Sequence, residues 1–290
     1  MINPSEHASA AGQAGSFRLS EVVVEPPHRL INLNLSELWR FRELLFFFIW
    51  RDIKVRYKQT LLGVTWAVLQ PVITMIVFSV IFGRLANMST GDIPYPIFLY
   101  AGLLPWQLFS RALTEAASSL ILNQNMVTKV YFPRSILPAS SVLGGLADFG
   151  IAFIILLGLM IYYQVPFSWQ LLLLPFFIII AIFTALAISL WLSALVVRYR
   201  DIKFITPFLV QIWLFVTPVV YPSTIIPQDW LWLYNLNPMN SVVAGFRWAI
   251  YGAPFSGGYW LLISAAMIVA LLISGIMFFQ HMELTFAVLI

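Results

Sequence analysis

The sequence predicts an all-α integral membrane protein. Six transmembrane helices are expected, plus an N-terminal amphipathic interface helix and short re-entrant helices before the last span. Three observations predict this. Hydrophobic residues fill 61% of the 290 positions and charged residues 10%, against roughly 45–50% and about 25% in soluble domains. Apolar runs close to the ~20 residues that cross a ~30 Å hydrocarbon core as a helix recur along the chain. They are long and continuous, whereas barrel strands would alternate over about ten residues. Finally, the basic residues gather in alternate loops between those runs.

Residues 1–35 predict a flexible leader, with one short extended piece at Val22–Val24 and none of the apolar run of about 7–15 residues that marks a signal peptide. Residues 36–58 predict the interface helix. Leu38, Phe41, Leu45 and Phe48 fall on one stripe, and Glu37, Arg40 and Glu43 lie elsewhere. The remainder, to residue 290, is a single transmembrane domain with spans at about 62–82, 95–122, 136–163, 171–197, 204–221 and 259–279. The stretch 217–258 stands apart. Its prolines (Pro218, Pro222, Pro227, Pro238 and Pro254) forbid one continuous helix, yet it is too rich in Trp, Leu and Val for a free aqueous loop. Short helices dipping into the interface satisfy both demands, with Trp230, Trp232 and Tyr234 at headgroup level.

Orientation follows from the charges. With six spans, thirteen lysines and arginines fall on the side of the leader and the loops after spans two, four and six; only Arg84 and Arg247 fall on the other. Both termini are therefore expected in the cytoplasm.

The sequence also limits the chemistry. It has no cysteine, and His7, His28 and His281 are far apart, so neither thiolate chemistry nor a Cys-held metal is available. No lysine follows a glycine, as a phosphate-cradling P-loop requires. If ATP drives this chain, another subunit hydrolyses it. Three ionisable residues lie inside predicted spans. Arg111 and Glu115 are four apart and share a helix face, and Asp148 sits in the third span. Such groups mark functional sites or serve helix packing. An Arg111–Glu115 pair neutralising itself near the outer end of its helix, and Asp148 bonding a neighbouring helix, are the packing readings. The tetrapeptide RDIK occurs at 51–54 and again at 200–203, two similar entry points to a span.

Two basic segments stand out. Arg51, Lys54, Arg56 and Lys58 lie just before the first span, and read either as a general anchor to anionic lipid or as a landing site for a phosphate-bearing headgroup. Between spans two and three, "NMVTKVYFPRS" (125–135) reads either as an ordinary cationic loop or as a grip for a separate ATPase. Met126, Val130 and Phe132 would anchor the grip, with Lys129 and Arg134 at its edge.

Five collinear stretches carry a resemblance: "WRDIKVRYKQTLLGVTWAVLQP" (50–71), "YAGLLPWQLFSRAL" (100–113), "KVYFPRSILP" (129–138), "VRYRDIKFITPFLVQIWLFVTPVVYP" (197–222) and "LNPMNSVVAGFRW" (236–248). The chain resembles the permease subunits of ABC exporters for O-antigen, capsule or teichoic-acid polysaccharide in the bacterial cytoplasmic membrane. The resemblance implies a homodimer with two copies of an ABC ATPase subunit, which would bind the ATP and Mg; this chain itself would hold no cofactor. The implied substrate is a lipid-linked polysaccharide, with membrane lipids as further partners and no nucleic acid. It also implies that 125–135 docks on the ATPase, that 36–58 is an interface and gate helix, and that Arg51, Lys54, Arg56 and Lys58 meet the substrate headgroup. The proline-rich region would form an outer gate, with Pro218, Tyr221, Pro222, Trp230, Asn237 and Pro238 as its candidates. Trp66, Trp106, Phe109, Trp191 and Trp213 are candidate channel aromatics, since ring faces stack on sugars without one fixed hydrogen-bond pattern; each is equally an ordinary membrane aromatic. The tail "QHMELTFAVLI" departs from the basic ending that related chains often carry. Two further functions remain open on the residues alone: export of a drug or lipid by the same two-component design, and a membrane-embedded glycosyl- or acyltransferase.

Overall fold

The computed structural model describes residues 39–58, 64–91, 93–255 and 257–289. The expected leader, its piece at Val22–Val24, and Leu38 lie outside the described residues. Every regular element among the described residues is helical.

Ten α-helices follow one another: α1 (Arg42–Lys58), α2 (Val64–Phe78, continued by a π-helical turn Ser79–Leu85), α3 (Tyr95–Leu122), α4 (Gln124–Lys129), α5 (Ile136–Tyr162), α6 (Leu174–Arg198), α7 (Ile202–Val216), α8 (Leu231–Leu236), α9 (Pro238–Tyr251) and α10 (Gly257–Leu289). Among the described residues four stretches are long and apolar enough to cross a membrane: Thr65–Leu85, Ile136–Tyr162, Trp169–Arg198 and Gly258–Glu283. The other two expected spans differ for physical reasons. Helix α3 has the expected bounds and 28 residues, but Gln107, Arg111 and Glu115 lower its hydropathy, and it is buried along nearly its whole length. Helix α7 stops at Val216, short of Tyr221, because the chain turns extended at Thr217 just before Pro218. Its 15 residues reach about 22 Å at 1.5 Å each.

Around α3 the bundle assembles. It packs against α5 and α6, and α10 packs on the outer side of α6. Close approach replaces the hydrophobic drive that lipid cannot supply. Helix α9 meets α6 where Gly245 lies under the Phe177 ring; a Cβ there would stand 2.1 Å from the ring edge. Helix α9 begins at Asn237, whose Oδ1 accepts from Met239 N at 3.1 Å with Pro238 in the first turn. It ends at Gly252, whose φ of +73° is the left-handed stop that glycine adopts freely. By contrast α2 keeps most of its surface outward, with Trp66, Ile73, Ile76 and Val77 exposed.

Apolar burial divides into two clusters. The larger runs through α3, α5, α6 and α9. The smaller gathers Phe48, Leu120, Val127, Phe132, Ile136, Val197, Phe279 and Phe286, so α1, the end of α3, α4, the start of α5 and the ends of α6 and α10 meet at one end of the bundle. That end holds most of the described lysines and arginines, and is called the basic end below.

Candidate functional site

Helix α1 turns Arg51, Asp52 and Arg56 inward and leaves Arg42, Glu43, Lys54 and Lys58 exposed. Its exposed side carries Phe46, Phe47 and Trp50, while Phe48 is buried, and its second half packs on α5. There Arg56 reaches two other helices. Its Nη2 lies 2.6 Å from Glu115 Oε2 on α3, and its Nη1 pairs with Asp148 Oδ2 on α5. Arg111 of α3 pairs through Nη1 with the same Asp148 Oδ2, and its Nε lies 3.8 Å from Glu115 Oε1. Tyr57 donates its hydroxyl to Asp148 Oδ1. Two guanidiniums thus face two carboxylates, and the cluster is neutral.

The electrostatics suit a joint between elements. Burial alone would lower the Arg56 pKa; the Glu115 and Asp148 carboxylates outweigh it and raise it. Burial, then the bond to Asp148, pushes the Tyr57 hydroxyl up to about 12, so it stays a donor at neutral pH. The packing reading of the Arg111–Glu115 pair therefore needs correcting, whereas Asp148 does bond neighbouring helices. Arg111 and Glu115 do not neutralise each other alone, and they lie in the half of α3 nearer the basic end. Asp148 is the acceptor for three donors from two helices. Beside the cluster opens a cavity of about 280 Å³ between α2, α3 and α5, lined by Gln70, Gln107, Ser110 and Thr114 together with Arg111, Glu115 and Asp148.

The other basic residues of α1 divide. Arg51 bonds Asp52 and donates to Asn123 Oδ1 at 2.8 Å at the start of α4. Lys54 and Lys58 are exposed and meet no partner among the described residues. So the expected headgroup set separates into two outward lysines, one arginine at the α4 junction and one inside the ionic cluster.

In the segment 125–135, Phe132 is buried against Phe48, with ring centroids 5.9 Å apart. Arg134 is held by the last helix, donating its main-chain N–H to Glu283 Oε1 at 3.2 Å and its guanidinium to the Glu283 carbonyl. Met126 is half-buried; Lys129, Val130 and Tyr131 point outward. Of the aromatics, Trp106, Phe109 and Trp213 form one run, with centroids 5.4 and 5.3 Å apart. Trp213 also lines an apolar groove of about 390 Å³ between α3, α6 and α7. Trp66 stands apart on the exposed side of α2. Trp191 stacks on Phe278 of α10 at 4.3 Å.

At the other end, residues 217–222 are stapled in place. Arg247 donates to the carbonyls of Pro218 and Val219, each at 2.7 Å, with its guanidinium 3.7 Å from the Phe98 ring centroid. Tyr95 donates to the Val220 carbonyl at 2.6 Å, Tyr221 to the Phe215 carbonyl at 2.7 Å, and Asn237 to Thr217 Oγ1 at 2.8 Å. Pro222 opens the turn Ser223–Ile225, and Trp230 is exposed where the turn Gln228–Trp230 leads into α8. Sequence reasoning counted Arg247 only as an orientation charge, but it is buried. The available signal was the run of prolines, which leaves carbonyls outside any helix in need of a donor.

With this geometry in view, the relatives are informative. The family model of the ABC-2 type transporter matches residues 43–251, from the first turn of α1 to the last of α9. The chain belongs to the ABC-2 type transporter family. The match takes in both the ionic cluster and the Arg247 staple. The chain is also similar to the "O-antigen export system permease protein RfbA" of Myxococcus xanthus, 32% identical over 256 residues, 87% of this chain and 97% of that one. Similarity extends to the "Polysialic acid transport protein KpsM" of Escherichia coli, 27% identical over 242 residues, 80% of this chain and 91% of that one. The "Inner membrane transport permease YadH" of Escherichia coli (strain K12) is 27% identical over 198 residues, 63% of this chain and 74% of that one. As an ABC-2 permease, the chain is a multi-pass transport subunit that works with an ABC ATPase.

Proposed function

We propose that this chain exports a lipid-linked polysaccharide of the O-antigen or capsule type across a bacterial inner membrane. The similarity to the Myxococcus xanthus export permease, which spans nearly the whole of both chains, carries the reading. In it α3 and α7 also cross, giving six spans, and the basic end and both termini face the cytoplasm. Two copies pair, each with one copy of an ATPase subunit that binds ATP and Mg.

The residues then take roles that their positions support. Lys54 and Lys58, outward and unpaired among the described residues, meet the anionic headgroup at the membrane surface, with Arg51 beside them. Helix α1 is the gate helix. Its first half is held by apolar packing of Phe48 and its second half by the ionic cluster, and a guanidinium can exchange one oxyanion partner for another at little geometric cost. Arg56 therefore changes partner between the Glu115–Asp148 pair and the incoming headgroup. The outward face of the docking segment, Lys129 and Val130 with Met126 at its edge, meets the ATPase. The aromatic run Trp106–Phe109–Trp213 borders the sugar path, and the stapled segment 217–222 with Trp230, Asn237 and Pro238 forms the far gate.

Co-purification with the ATPase into lipid nanodiscs, followed by ATP hydrolysis with and without extracted lipid-linked glycan, tests this. Stimulation by the glycan is expected. A complex that ignores glycan and responds to small hydrophobic drugs or lipids would replace the substrate class. A chain that binds no ATPase would overturn the reading.

A further inference from the structure

Helix α4 has six residues, too few to hold its own shape. Its position is imposed by neighbours. Val127 and Phe132 sit in the apolar cluster of the basic end with Phe48 of α1 and Phe279, Met282 and Phe286 of α10. Phe48 touches Phe132, and Phe279 meets Phe286 edge-on with centroids 5.3 Å apart. Glu283 accepts from the main-chain N–H of Arg134, the Glu283 carbonyl takes the Arg134 guanidinium, and that guanidinium lies 5.9 Å from the Phe286 ring centroid. These last contacts fix a stretch of backbone, beyond merely filling volume. On the opposite side Asn125, Thr128, Lys129, Val130 and Tyr131 are exposed. The segment is a small plate with one face outward and the other fastened to α1 and α10.

We propose that the last turns of α10 brace this plate, with Glu283 and Phe286 as positioning residues for coupling. A push on the exposed face is then delivered through Phe132 and Phe48 to α1, instead of being absorbed by bending of the segment. The inference rests on the reading that 125–135 docks on the ATPase. It gives the tail a role that needs no basic charge.

The chain has no cysteine, so paired spin labels can be placed at the exposed positions Trp50 and Tyr131 in the full-length protein in nanodiscs, with and without the ATPase. Wild type should give a narrow distance distribution. The double variant Glu283→Ala/Phe286→Ala should broaden it and raise ATP consumed per glycan exported by about fivefold or more, the scale of a coupling energy between sites. Glu283→Gln, which keeps an acceptor, and Phe286→Leu, which keeps volume, should stay near wild type and so report on folding. An unbroadened distribution in the double variant overturns the brace; so does a broadened one with wild-type coupling. Loss of ATPase association with a narrow distribution overturns it too, because the tail would then touch the ATPase itself. The docking reading is tested separately by Lys129→Glu/Val130→Asp. If that variant binds ATPase normally, docking is wrong, and the distances measured without ATPase still decide whether the tail fixes the plate.

Discussion

The two ends of this bundle both tie arginines into the structure, half-buried at one and buried at the other, and use them in opposite ways. At the basic end, Arg56 and Arg111 face Glu115 and Asp148, side chains on three separate helices. At the other, Arg247 is spent on the main-chain carbonyls of Pro218 and Val219 within a proline-broken segment. A guanidinium on carbonyls that no helix satisfies is a fixture, since removing it strands two acceptors in a dry interior. Carboxylates shared between helices are different: each ion has a strong alternative in water or in another oxyanion. The Arg247 arrangement sets a backbone path, and the ionic one joins α1 to a pair of carboxylates on α3 and α5.

This contrast can be broken from either side. The largest effect is expected at Arg247. Arg247→Met keeps the apolar stem but removes both hydrogen bonds and the stack on Phe98, and should cost about 3 kcal/mol or more, the range for stranding buried polar groups. Thermal unfolding in detergent would show it, and proteolysis at 217–230 should become faster even below the transition. A smaller effect is expected for Tyr57→Phe, which removes one of the three donors to Asp148. The loss should be about 1 kcal/mol. Because the Tyr57 pKa is raised, to about 12, its contribution is complete below the ordinary tyrosine value near 10 and fades only as pH rises through the raised one. The difference between Tyr57→Phe and wild type should therefore be flat across neutral pH, and a difference that titrates near neutrality would point to another group.

Much of the fold was legible. Helix α3 begins and ends where the apolar run does, at Tyr95 and Leu122, because Pro94 before it and the polar Asn123 after it punctuate the chain. Helix α7 ends early because Pro218 overrides a hydrophobic run that continues to Tyr221. The ionic cluster was half legible. Arg111, Glu115 and Asp148 stood out as charges at depth, but Arg56 is 92 residues from Asp148, and no local period reports such a pairing. Charge arithmetic was the missed signal: one arginine against two carboxylates leaves a negative charge that needs a second cation. Phe132 and Arg134 likewise read as surface anchors because an eleven-residue polar segment gives no hint that α10 returns to cover it. The RDIK tetrapeptide shows the limit of local reading, being mid-helix at 51–54 and at the start of a helix at 200–203.

The central claim is that the second half of α1 is held to α3 and α5 by exchangeable ionic contacts and swings from them in transport. The most direct measurement is the distance between labels at Val55 on α1 and Ile154 on α5, both exposed, in the ATPase complex in nanodiscs. A single short population is expected at rest, with a second, longer one on adding lipid-linked glycan and ATP. Asp148→Asn should populate the longer one without substrate. One unchanged distance under every condition, in wild type and Asp148→Asn alike, would contradict the account and leave the cluster a static ion pair.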